Sequence, residues 1–373
     1  MLDENEESAA VDAGQATLAE VAVLAGVSIG TVSRVLNNRR GVNSELKQRV
    51  EDAAGKLRYQ RPARARRAAR ESCPILTFVL SNRDFLHPVH ARLLQGAEEY
   101  CEQNGYFLVF KKLTYSASTP ASELSLPALL RQHDIADCLI LAGTNYLNLV
   151  EATAAARAPY VFYGNNLVSD APRTGLDQVR SDDASGAADA TSYLLSLGHR
   201  RICFIGDTSL PWFRERFEAY RDVMNEAGLE PSAVTVRLSD DPFRNGYSST
   251  EALLRRKTDV TAIFAGSDDT AFGVWEQLQQ CGVRVPDDVA LIGFGDLPEA
   301  SRRTPPLTTV RIEYVELGRQ LARMAILKAD HPGVPLPETV LATKLILRGT
   351  TWPISRPSKE AAGRMADPVA ANA

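Results

Sequence analysis

The chain has 373 residues, of which 45% are apolar and 24% charged, a composition that supports a buried core and favours two or three domains. It contains no run of about 20 uninterrupted apolar residues, which excludes a protein that crosses a membrane by helices. Its five cysteines are widely spaced, and its first residues are acidic where a secretory signal would be basic and then apolar. We therefore expect a cytoplasmic protein with reduced thiols, no metal site and no cofactor.

The net charge of −4 is unevenly distributed along the chain. Residues 17–70 carry twelve Lys and Arg against four Asp and Glu, a net of +8, whereas residues 1–16 carry a net of −5 and the remainder a net of −7. A basic segment joined to an acidic body favours a polyanionic partner. Residues 1–16 and 354–373 lack apolar periodicity, which predicts a disordered leader and a flexible tail.

The basic segment has the pattern of three short helices. Thr17-Leu18-Ala19-Glu20 is a capping box, which predicts a first helix that ends at Gly26. Ser28 is placed to cap a second helix, and a third begins near Asn43 or Ser44. Three short helices with a glycine turn between the first two are typical of a helix-turn-helix unit. Apolar positions at helical spacing predict its core: Leu18, Val21, Ala22, Ala25, Val32, Val35, Leu36, Leu46, Val50, Ala53, Ala54 and Leu57.

In such a unit the N-terminal turn of the second helix enters the major groove of DNA. Arg34 can pair there bidentately with a guanine, which contributes about 1–3 kcal/mol of discrimination, although an arginine at this position can also be merely solvated. The positions expected to reach base edges are Ile29, Gly30, Ser33 and Arg34. The short polar side chains suited to backbone phosphates are Thr17, Ser28, Thr31 and Asn37.

The segments Thr17–Ala22 and Ala25–Asn37 resemble the headpiece of the LacI/GalR (lactose-repressor) family of bacterial transcription regulators. The resemblance implies an all-α DNA-binding headpiece over residues 17–58, followed by a hinge over residues 59–72. In the family this hinge begins with a Tyr-x-Pro-Asn element, folds into a helix on operator DNA and inserts a leucine into the minor groove.

The hinge departs from the family pattern. Tyr59 matches the expected tyrosine, but Arg61 stands at the proline position and Ala68 at the position of the inserted leucine. Alanine is too small to open a base step, so strong kinking of the operator is in doubt. We expect the hinge arginines, among them Arg64 and Arg67, to contact the minor groove and neighbouring phosphates instead.

After Pro74, short apolar runs alternate with helical patterns such as Val89–Asn104, Ala184–Leu197 and Phe213–Ala227. The runs are continuous rather than alternating, which indicates parallel strands covered by helices on both faces. Seven such units exceed one comfortable sheet, so we expect two α/β lobes. The predicted strands are Ile75–Leu80, Phe107–Phe110, Cys138–Leu141, Tyr160–Tyr163, Ile202–Ile205, Thr261–Phe264 and Val289–Phe294.

The resemblance continues to Pro353 through four segments similar to landmarks of the family's effector domain: Gly198–Ile202, Gly282–Val289, Pro306–Val310 and Leu345–Thr350. It implies a two-lobed domain over residues 73–353 that resembles a periplasmic sugar-binding protein, with three crossover strands and a ligand cleft between the lobes. The implied lobes cover about 74–198 with 310–335, and about 199–309 with 336–353.

Ligand contacts in such a cleft collect beyond the carboxyl ends of parallel strands. The resemblance matches Arg216 to the arginine that holds effector hydroxyls or carboxylates, and Ser267 and Asp268 to a polar pair after a strand. Asp268 fits a helix cap equally well. The family often has an aspartate where this chain has Gly295, and whether the following Asp296 replaces it stays open.

Three further candidates follow the first predicted strand, and one precedes the arginine. Ser81, His87 and His90 lie where an effector could be hydrogen-bonded, although a surface loop explains the two histidines equally well. Trp212 could provide an apolar platform for a sugar ring, or could simply pack a helix.

Three other protein classes fit the sequence less well. An enzyme is disfavoured because Gly293-Phe294-Gly295 lacks the third glycine of a dinucleotide fingerprint, with Glu299 in its place, and no hydrolase or P-loop motif occurs. A free solute-binding protein would carry an export signal and no basic headpiece. An architectural DNA-binding protein would leave the α/β region unexplained.

The sequence therefore predicts a transcription regulator, and specifically a repressor, whose affinity for double-stranded operator DNA is controlled by a small-molecule effector, a sugar or sugar derivative. One headpiece reads too few bases to compete with genomic non-specific sites, so we expect a homodimer on a near-palindromic operator, with a tetramer as the larger alternative. The effector's identity, and whether it releases the operator or promotes binding, stay open.

Overall fold

The computed structural model describes residues 18–36, 44–57, 59, 74–127, 136–169, 176–256 and 259–353. The side chains of Ser33 and Arg34 are outside this description, although both residues belong to a described helix. The other predictions that fall outside the described residues concern the leader 1–16, most of the hinge, the tail 354–373 and the residues Thr17, Asn37, Arg64, Arg67 and Ala68.

The basic segment forms three helices, α1 (Leu18–Ala25), α2 (Ile29–Leu36) and α3 (Ser44–Lys56). Gly26 ends α1 with φ of +62°, a left-handed conformation that glycine adopts without steric cost. The Ser28 hydroxyl accepts a hydrogen bond from the Thr31 amide at 3.1 Å, which caps α2. The predicted helix-turn-helix headpiece is confirmed.

The three helices enclose a small apolar core of their own. Arg49 of α3 supports it from outside, because its guanidinium donates to the Ala25 carbonyl at the end of α1, with Nη2 2.7 Å from the oxygen. Leu46 is only half-buried and lies outside the core cluster, so its predicted core role is wrong. The fully buried members are Val21, Ala22, Ala25, Val32, Val35, Val50 and Ala53.

The first lobe is built on a six-stranded parallel sheet with helices on both faces. Alternate residues of the strand Ile75–Ser81 face opposite cores: Leu76, Phe78 and Leu80 pack on one side, and Val79 on the other. In spatial order the strands are β13 (Thr339–Leu341), β7 (Gln178–Ser181), β5 (Tyr160–Tyr163), β3 (Cys138–Gly143), β1 (Ile75–Ser81) and β2 (Phe107–Leu113).

The helices of the first lobe are α4 (Pro88–Gln103), α5 (Leu147–Ala155) and α11 (Tyr314–Asp330). Helices α4 and α11 pack closely at Gly96 and Gly318. A Cβ at Gly96 would lie 1.8 Å from the Val315 carbonyl oxygen, and one at Gly318 would lie 2.0 Å from the Leu93 carbonyl oxygen. Only glycine permits this approach. A short two-stranded sheet pairs β4 (Asn145–Tyr146) with β6 (Leu167–Val168).

The second lobe repeats this architecture with one antiparallel edge strand, β14. In spatial order its strands are β14 (Lys344–Ile346), β12 (Thr308–Arg311), β11 (Ala290–Gly295), β10 (Ala262–Ala265), β8 (Ile202–Ile205) and β9 (Ser232–Val234). Its helices are α6 (Asp183–Ser196), α7 (Pro211–Glu226), α8 (Pro242–Arg255), α9 (Asp268–Gln280) and α10 (Pro298–Arg302). The predicted two-lobed α/β fold is confirmed.

The chain passes between the lobes at three points, near residues 182, 312 and 342, and two of these differ from the predicted boundaries. Helix α6 packs against α7, β12 and β14 of the second lobe, so the first segment of lobe one ends near residue 182 rather than 198. Strand β13 pairs with β7 in the first lobe rather than belonging to the second. Local apolar periodicity identifies a helix or strand, but it does not say which sheet the buried face meets.

None of the helices formed by the described residues is long and apolar enough to cross a membrane. Within the same residues, Cys101, Cys138, Cys203 and Cys281 are free thiols. Burial raises the pKa of Cys101 to about 12 and that of Cys203 to about 11, so both thiols stay protonated and act as packing groups.

Candidate effector cleft and DNA-binding headpiece

A cleft of about 820 Å³ lies between the lobes, beyond the carboxyl ends of the sheet strands. We call its two sides the first-lobe wall, with Arg83, Lys112, His87 and His90, and the second-lobe wall, with Trp212, Arg216 and Ser267–Asp269. Six of the eight predicted effector residues line it: His87, His90, Trp212, Arg216, Ser267 and Asp268. Their contact with an effector stays a prediction.

Ser81 does not line the cleft. It is the last residue of β1 and is fully buried, and its carbonyl accepts a hydrogen bond from the Thr144 amide at 2.8 Å. The side chains that enter the cleft from this strand end belong to the residues that follow it, beginning with Asn82 and Arg83.

Asp296 also lies outside the cleft wall. Its carboxylate is 2.6 Å from both Arg311 and Arg348, and its carbonyl accepts from Arg92 of α4 at 3.3 Å. Gly295, at the position of the family aspartate, has φ of +132°, a conformation that residues with side chains rarely adopt, and a Cβ there would lie 3.3 Å from the Tyr314 hydroxyl. Asp296 therefore forms ion pairs with two arginines of the second lobe, and its carbonyl contacts Arg92 of the first lobe.

Arg216 is held by the protein itself. Its Nη2 and Nε lie 2.6 and 2.9 Å from Asp183 Oδ2, and its Nη1 donates to the Gly266 carbonyl at 2.6 Å. The guanidinium carbon lies 3.9 Å from the centroid of the Phe294 ring. Burial lowers the pKa of Arg216, but the neighbouring Asp183 carboxylate opposes this effect, and the net result is a raised pKa. Arg216 is therefore a charged group of the second-lobe wall whose position is fixed by its contacts with the protein.

Asp183 is a functional residue that the sequence interpretation missed. It is fully buried and also accepts a hydrogen bond from the Ser181 hydroxyl at 2.6 Å. A signal was present, because two aspartates stand at the start of the predicted helix and one suffices as a cap. Asp182 is that cap and accepts from the Ser185 amide at 3.1 Å, which leaves Asp183 to turn inward.

Asp268 is not the cap of α9, because Ser267 accepts the capping hydrogen bond from the Thr270 amide at 3.2 Å. The buried Asp268 carboxylate instead accepts from the Leu297 amide at 2.6 Å and from the Thr309 hydroxyl at 2.5 Å. Burial raises the pKa of Asp268 to about 7, although both hydrogen bonds oppose the rise. Near neutral pH this carboxyl can therefore be present in either protonation state.

Both predicted histidines line the cleft rather than a surface loop. His87 caps α4, since its Nδ1 accepts from the Val89 amide at 3.3 Å, and its Nε2 lies 3.0 Å from the Asp269 carboxylate of the second lobe. We call this contact the interlobe clasp. Burial lowers the pKa of His90 to about 3, so this imidazole is neutral, and its Nδ1 has no hydrogen-bond partner among the described residues.

Aromatic rings form much of the remaining surface. Trp212 faces the cleft, and the Arg83 guanidinium carbon lies 5.1 Å from its ring centroid. The neighbouring Phe213 is mostly buried in the core but also contributes to the lining. Such rings offer apolar faces next to the hydrogen-bonding groups of the wall. The lining aromatics are Tyr115, Tyr146, Tyr163, Trp212, Phe213, Phe294 and Tyr314. Within the described residues, no group of three or more His, Cys, Asp or Glu could hold a metal ion.

The headpiece presents the start of α2 to solvent. Ile29 is 53% exposed, and Gly30 beside it is exposed as well. The Ser28 and Thr31 hydroxyls lie 2.9 Å apart at this helix start, close to the positions predicted for base contacts. Tyr59 packs against the headpiece core, which the sequence interpretation did not anticipate, and its DNA contact stays a prediction.

Comparison with known proteins gives matches at both ends of the chain. Residues 17–62 match the model of bacterial regulatory proteins of the lacI family, and residues 191–351 match the periplasmic binding protein-like domain. The ribose operon repressor of Escherichia coli K12 is 31% identical over 338 residues, which cover 90% of this chain and 99% of the repressor. The transcriptional regulator CelR of Thermobifida fusca is 31% identical over 336 residues, covering 89% and 97%.

Solved structures agree with these relatives. A transcriptional regulator CelR–cellobiose complex superposes with a TM-score of 0.65 at 28% identity and covers 90% of this chain and all of that one. A lac repressor dimer bound to operator and an anti-inducer has the same fold, with a TM-score of 0.65 at 23% identity, covering 91% and 99%. Because regulators 31% identical align with this chain over almost their whole length, the protein belongs to the LacI family of bacterial regulatory proteins.

Proposed function

We propose that this protein is a transcriptional repressor whose affinity for operator DNA is set by a small carbohydrate bound in the interlobe cleft. The observation that carries the proposal is the cleft itself, walled by both lobes of a chain whose N-terminus is a helix-turn-helix headpiece. We propose no catalytic activity, and we propose that the protein acts in the cytoplasm, where it has access to operator DNA.

The wall supports a carbohydrate as effector. A fixed arginine, a neutral imidazole and the Asp268 carboxyl provide donors and acceptors for hydroxyl groups, and the aromatic rings provide apolar faces for the C–H side of a sugar ring. Two relatives point the same way, one named for the ribose operon and one solved with cellobiose.

The coupling between cleft and headpiece requires two lobe arrangements with different effector affinities. Contacts between the two lobes are present in this structure: His87 to Asp269 at the cleft, and Arg92 to the Asp296 carbonyl outside it. A ligand that binds between the lobes makes contacts with both walls and therefore binds one arrangement better than the other. Its differential affinity is what can move the headpieces.

On DNA we propose a homodimer, with two α2 helices reading the two halves of a near-palindromic operator. Ile29 and Gly30 offer only apolar or no base contact, so base-specific hydrogen bonding falls mainly to Arg34 and Ser33. Two headpieces double this limited reading and raise specific binding above non-specific binding.

The direct test is selection of genomic fragments by the purified full chain at low ionic strength, with and without a panel of sugars and nucleosides. We expect enrichment of one near-palindromic sequence and a change in its occupancy with at least one sugar. Failure to enrich any sequence under either condition contradicts the proposal. Enrichment that no panel member changes contradicts the effector control while leaving DNA binding in place.

The variant Arg34→Ala sharpens this test. We expect its affinity for the selected operator to fall by about 1–3 kcal/mol, since a bidentate base contact is lost, while its affinity for random duplex falls much less. Fluorescence anisotropy on both duplexes measures the two losses. Equal losses would remove Arg34 from base recognition and assign it to phosphates.

A further inference from the structure

Arg83 is the first cation that the chain places in the cleft after β1. Asn82 before it has φ of +53°, a left-handed conformation that asparagine tolerates better than most residues. The Asn82 side chain holds this turn, because its Oδ1 accepts from the Tyr115 amide at 2.9 Å. The turn directs Arg83 to the point where the cleft meets a side cavity of about 70 Å³, which it also lines.

The Arg83 guanidinium makes only part of its possible hydrogen bonds with the described residues. Its Nε donates to the Thr144 hydroxyl at 2.7 Å, and its plane lies near the Trp212 ring of the second lobe. Among the described residues no carboxylate lies within 4 Å of it, and its two Nη groups have no acceptor. Burial lowers the pKa of Arg83, and the more distant Asp240 only partly offsets this.

The carboxylates around Arg83 already have partners. Arg237 lies 3.3 Å from Asp207 and 3.0 Å from Asp240, so it is the ion-pair partner of both acids of the side cavity. Across the cleft, Asp269 is paired with His87. An arginine that is largely enclosed without a counter-ion is unfavourable in the free protein, and it gains most from an anion that arrives with a ligand.

A second cation lies on the same wall. Lys112 is paired in register with Leu80, two positions before the turn at Asn82, and it lines the cleft without an ion pair among the described residues. Arg83 and Lys112 are therefore two cations on the first-lobe wall, which Asp84 also lines, that have no ion-pair partner among the described residues. On the second-lobe wall, Arg216 is paired with the buried Asp183 and Asp269 contacts His87.

We propose that the effector is an anionic carbohydrate, and that its carboxylate or phosphate group binds the two free Nη groups of Arg83 at the mouth of the side cavity. The inference rests on the proposed function, because it specifies the ligand of the same cleft. The planar fork of arginine suits both anions, which share two oxygens at the spacing of a bidentate contact. The side cavity has room for a group of only a few heavy atoms, so the sugar ring stays in the main cleft.

The test compares matched neutral and anionic sugars on the full chain at constant ionic strength. The pairs are glucose with glucuronate and glucose 6-phosphate, galactose with galacturonate and galactose 6-phosphate, and ribose with ribose 5-phosphate; acetate and inorganic phosphate serve as minimal probes. Thermal shift identifies binders, and titration calorimetry gives their Kd. The carboxylate and phosphate arms decide which anion the site takes.

Two variants accompany the panel. In Arg83→Gln we expect the Kd of the anionic ligand to rise about tenfold to a hundredfold, as for the loss of a charged hydrogen-bonding partner, while the neutral parent sugar is unaffected. Arg255→Gln is the matched control, because this arginine is 74% exposed on α8 and, among the described residues, pairs with Glu251 one turn earlier in the same helix. We expect its Kd to equal that of the wild type.

Three results would overturn the inference: a neutral sugar that binds as tightly as its anionic partner, an anionic ligand whose Kd is unchanged in Arg83→Gln, or a panel in which no anion stabilises the wild type more than Arg83→Gln. The proposed function fails separately. A neutral sugar that changes operator affinity removes only the anion inference, whereas a tight anionic ligand without effect on operator affinity removes the regulatory role and leaves the anion site.

Discussion

The two walls of the cleft use their charged groups differently. On the second-lobe wall, Arg216 is bound to Asp183 and the Gly266 carbonyl, and Asp268 is bound to Leu297 and Thr309. On the first-lobe wall, the Nη groups of Arg83 and the His90 Nδ1 have no acceptor or donor among the described residues. The second-lobe wall is thus preorganised by the protein, and the first-lobe wall keeps its capacity for a ligand.

The largest expected effect on stability concerns the second-lobe wall. Asp183→Ala leaves the Arg216 guanidinium buried without a counter-ion, which should lower the unfolding free energy by about 3–5 kcal/mol. The neighbouring Asp182→Ala removes only a helix cap and should cost about 1 kcal/mol. Urea denaturation of both variants measures the difference. Similar losses in the two variants would show that the Arg216–Asp183 pair is not the anchor of this wall.

A pH dependence follows from Asp268, whose folded-state pKa of about 7 lies above the unfolded value of about 3.9. Folding therefore takes up a proton between these values, and the contribution of Asp268 to stability decreases as the pH rises from 4 to 7. Asp268→Asn removes this dependence. We expect the wild-type minus variant difference in unfolding free energy to fall by up to about 1.4 kcal/mol per pH unit across this window.

Denaturation curves at pH 4, 5, 6 and 7 measure this difference. A difference that stays constant over the four pH values would contradict the raised pKa of Asp268. It would leave the Arg216–Asp183 pair as the evidence that the second-lobe wall is organised by the protein itself.

Much of the fold followed from local sequence, and much of the site did not. Gly26 and Ser28 mark helix ends by their own backbone and side-chain chemistry, and the strand Ile202–Ile205 is recognisable from its apolar run alone. The Arg216–Asp183 pair joins residues 33 positions apart on two helices. No local pattern specifies such a contact.

The misassigned residues share a cause. Asp296 was expected in the cleft because it follows a strand end, but its side chain turns to Arg311 and Arg348. Arg311 comes from the neighbouring strand β12, and Arg348 from the segment that follows the third crossover. Arg83 was overlooked because it looks like an ordinary loop arginine until the turn at Asn82 and the ring of Trp212 are placed around it.

For the first-lobe wall we expect a smaller effect on stability. Arg83→Gln removes a largely enclosed cation that lacks a counter-ion, so the unfolding free energy of the ligand-free protein should stay within about 1 kcal/mol of the wild type or increase. Denaturation without ligand checks this. A loss comparable to that of Asp183→Ala would mean that Arg83 has a structural anion partner within the chain, and the contrast between the walls would disappear.

The smallest expected effect concerns the interlobe clasp. His87 and Asp269 are each about one-third exposed, so Asp269→Asn should lower the unfolding free energy by no more than about 1 kcal/mol. Denaturation at pH 7 measures it. A loss above about 2 kcal/mol would show that the clasp is as strongly coupled as the buried pair, and that the lobes are held together by the protein rather than by a ligand.

The central claim is that occupancy of the cleft and operator binding are linked. The most direct measurement is the Kd of the strongest sugar-panel ligand for the full chain, by calorimetry, with and without a saturating operator duplex. Linkage requires the duplex to change this Kd by the same factor by which the ligand changes the operator Kd. We predict a matched change of about fivefold or more. A ligand Kd that is the same with and without operator would contradict the account.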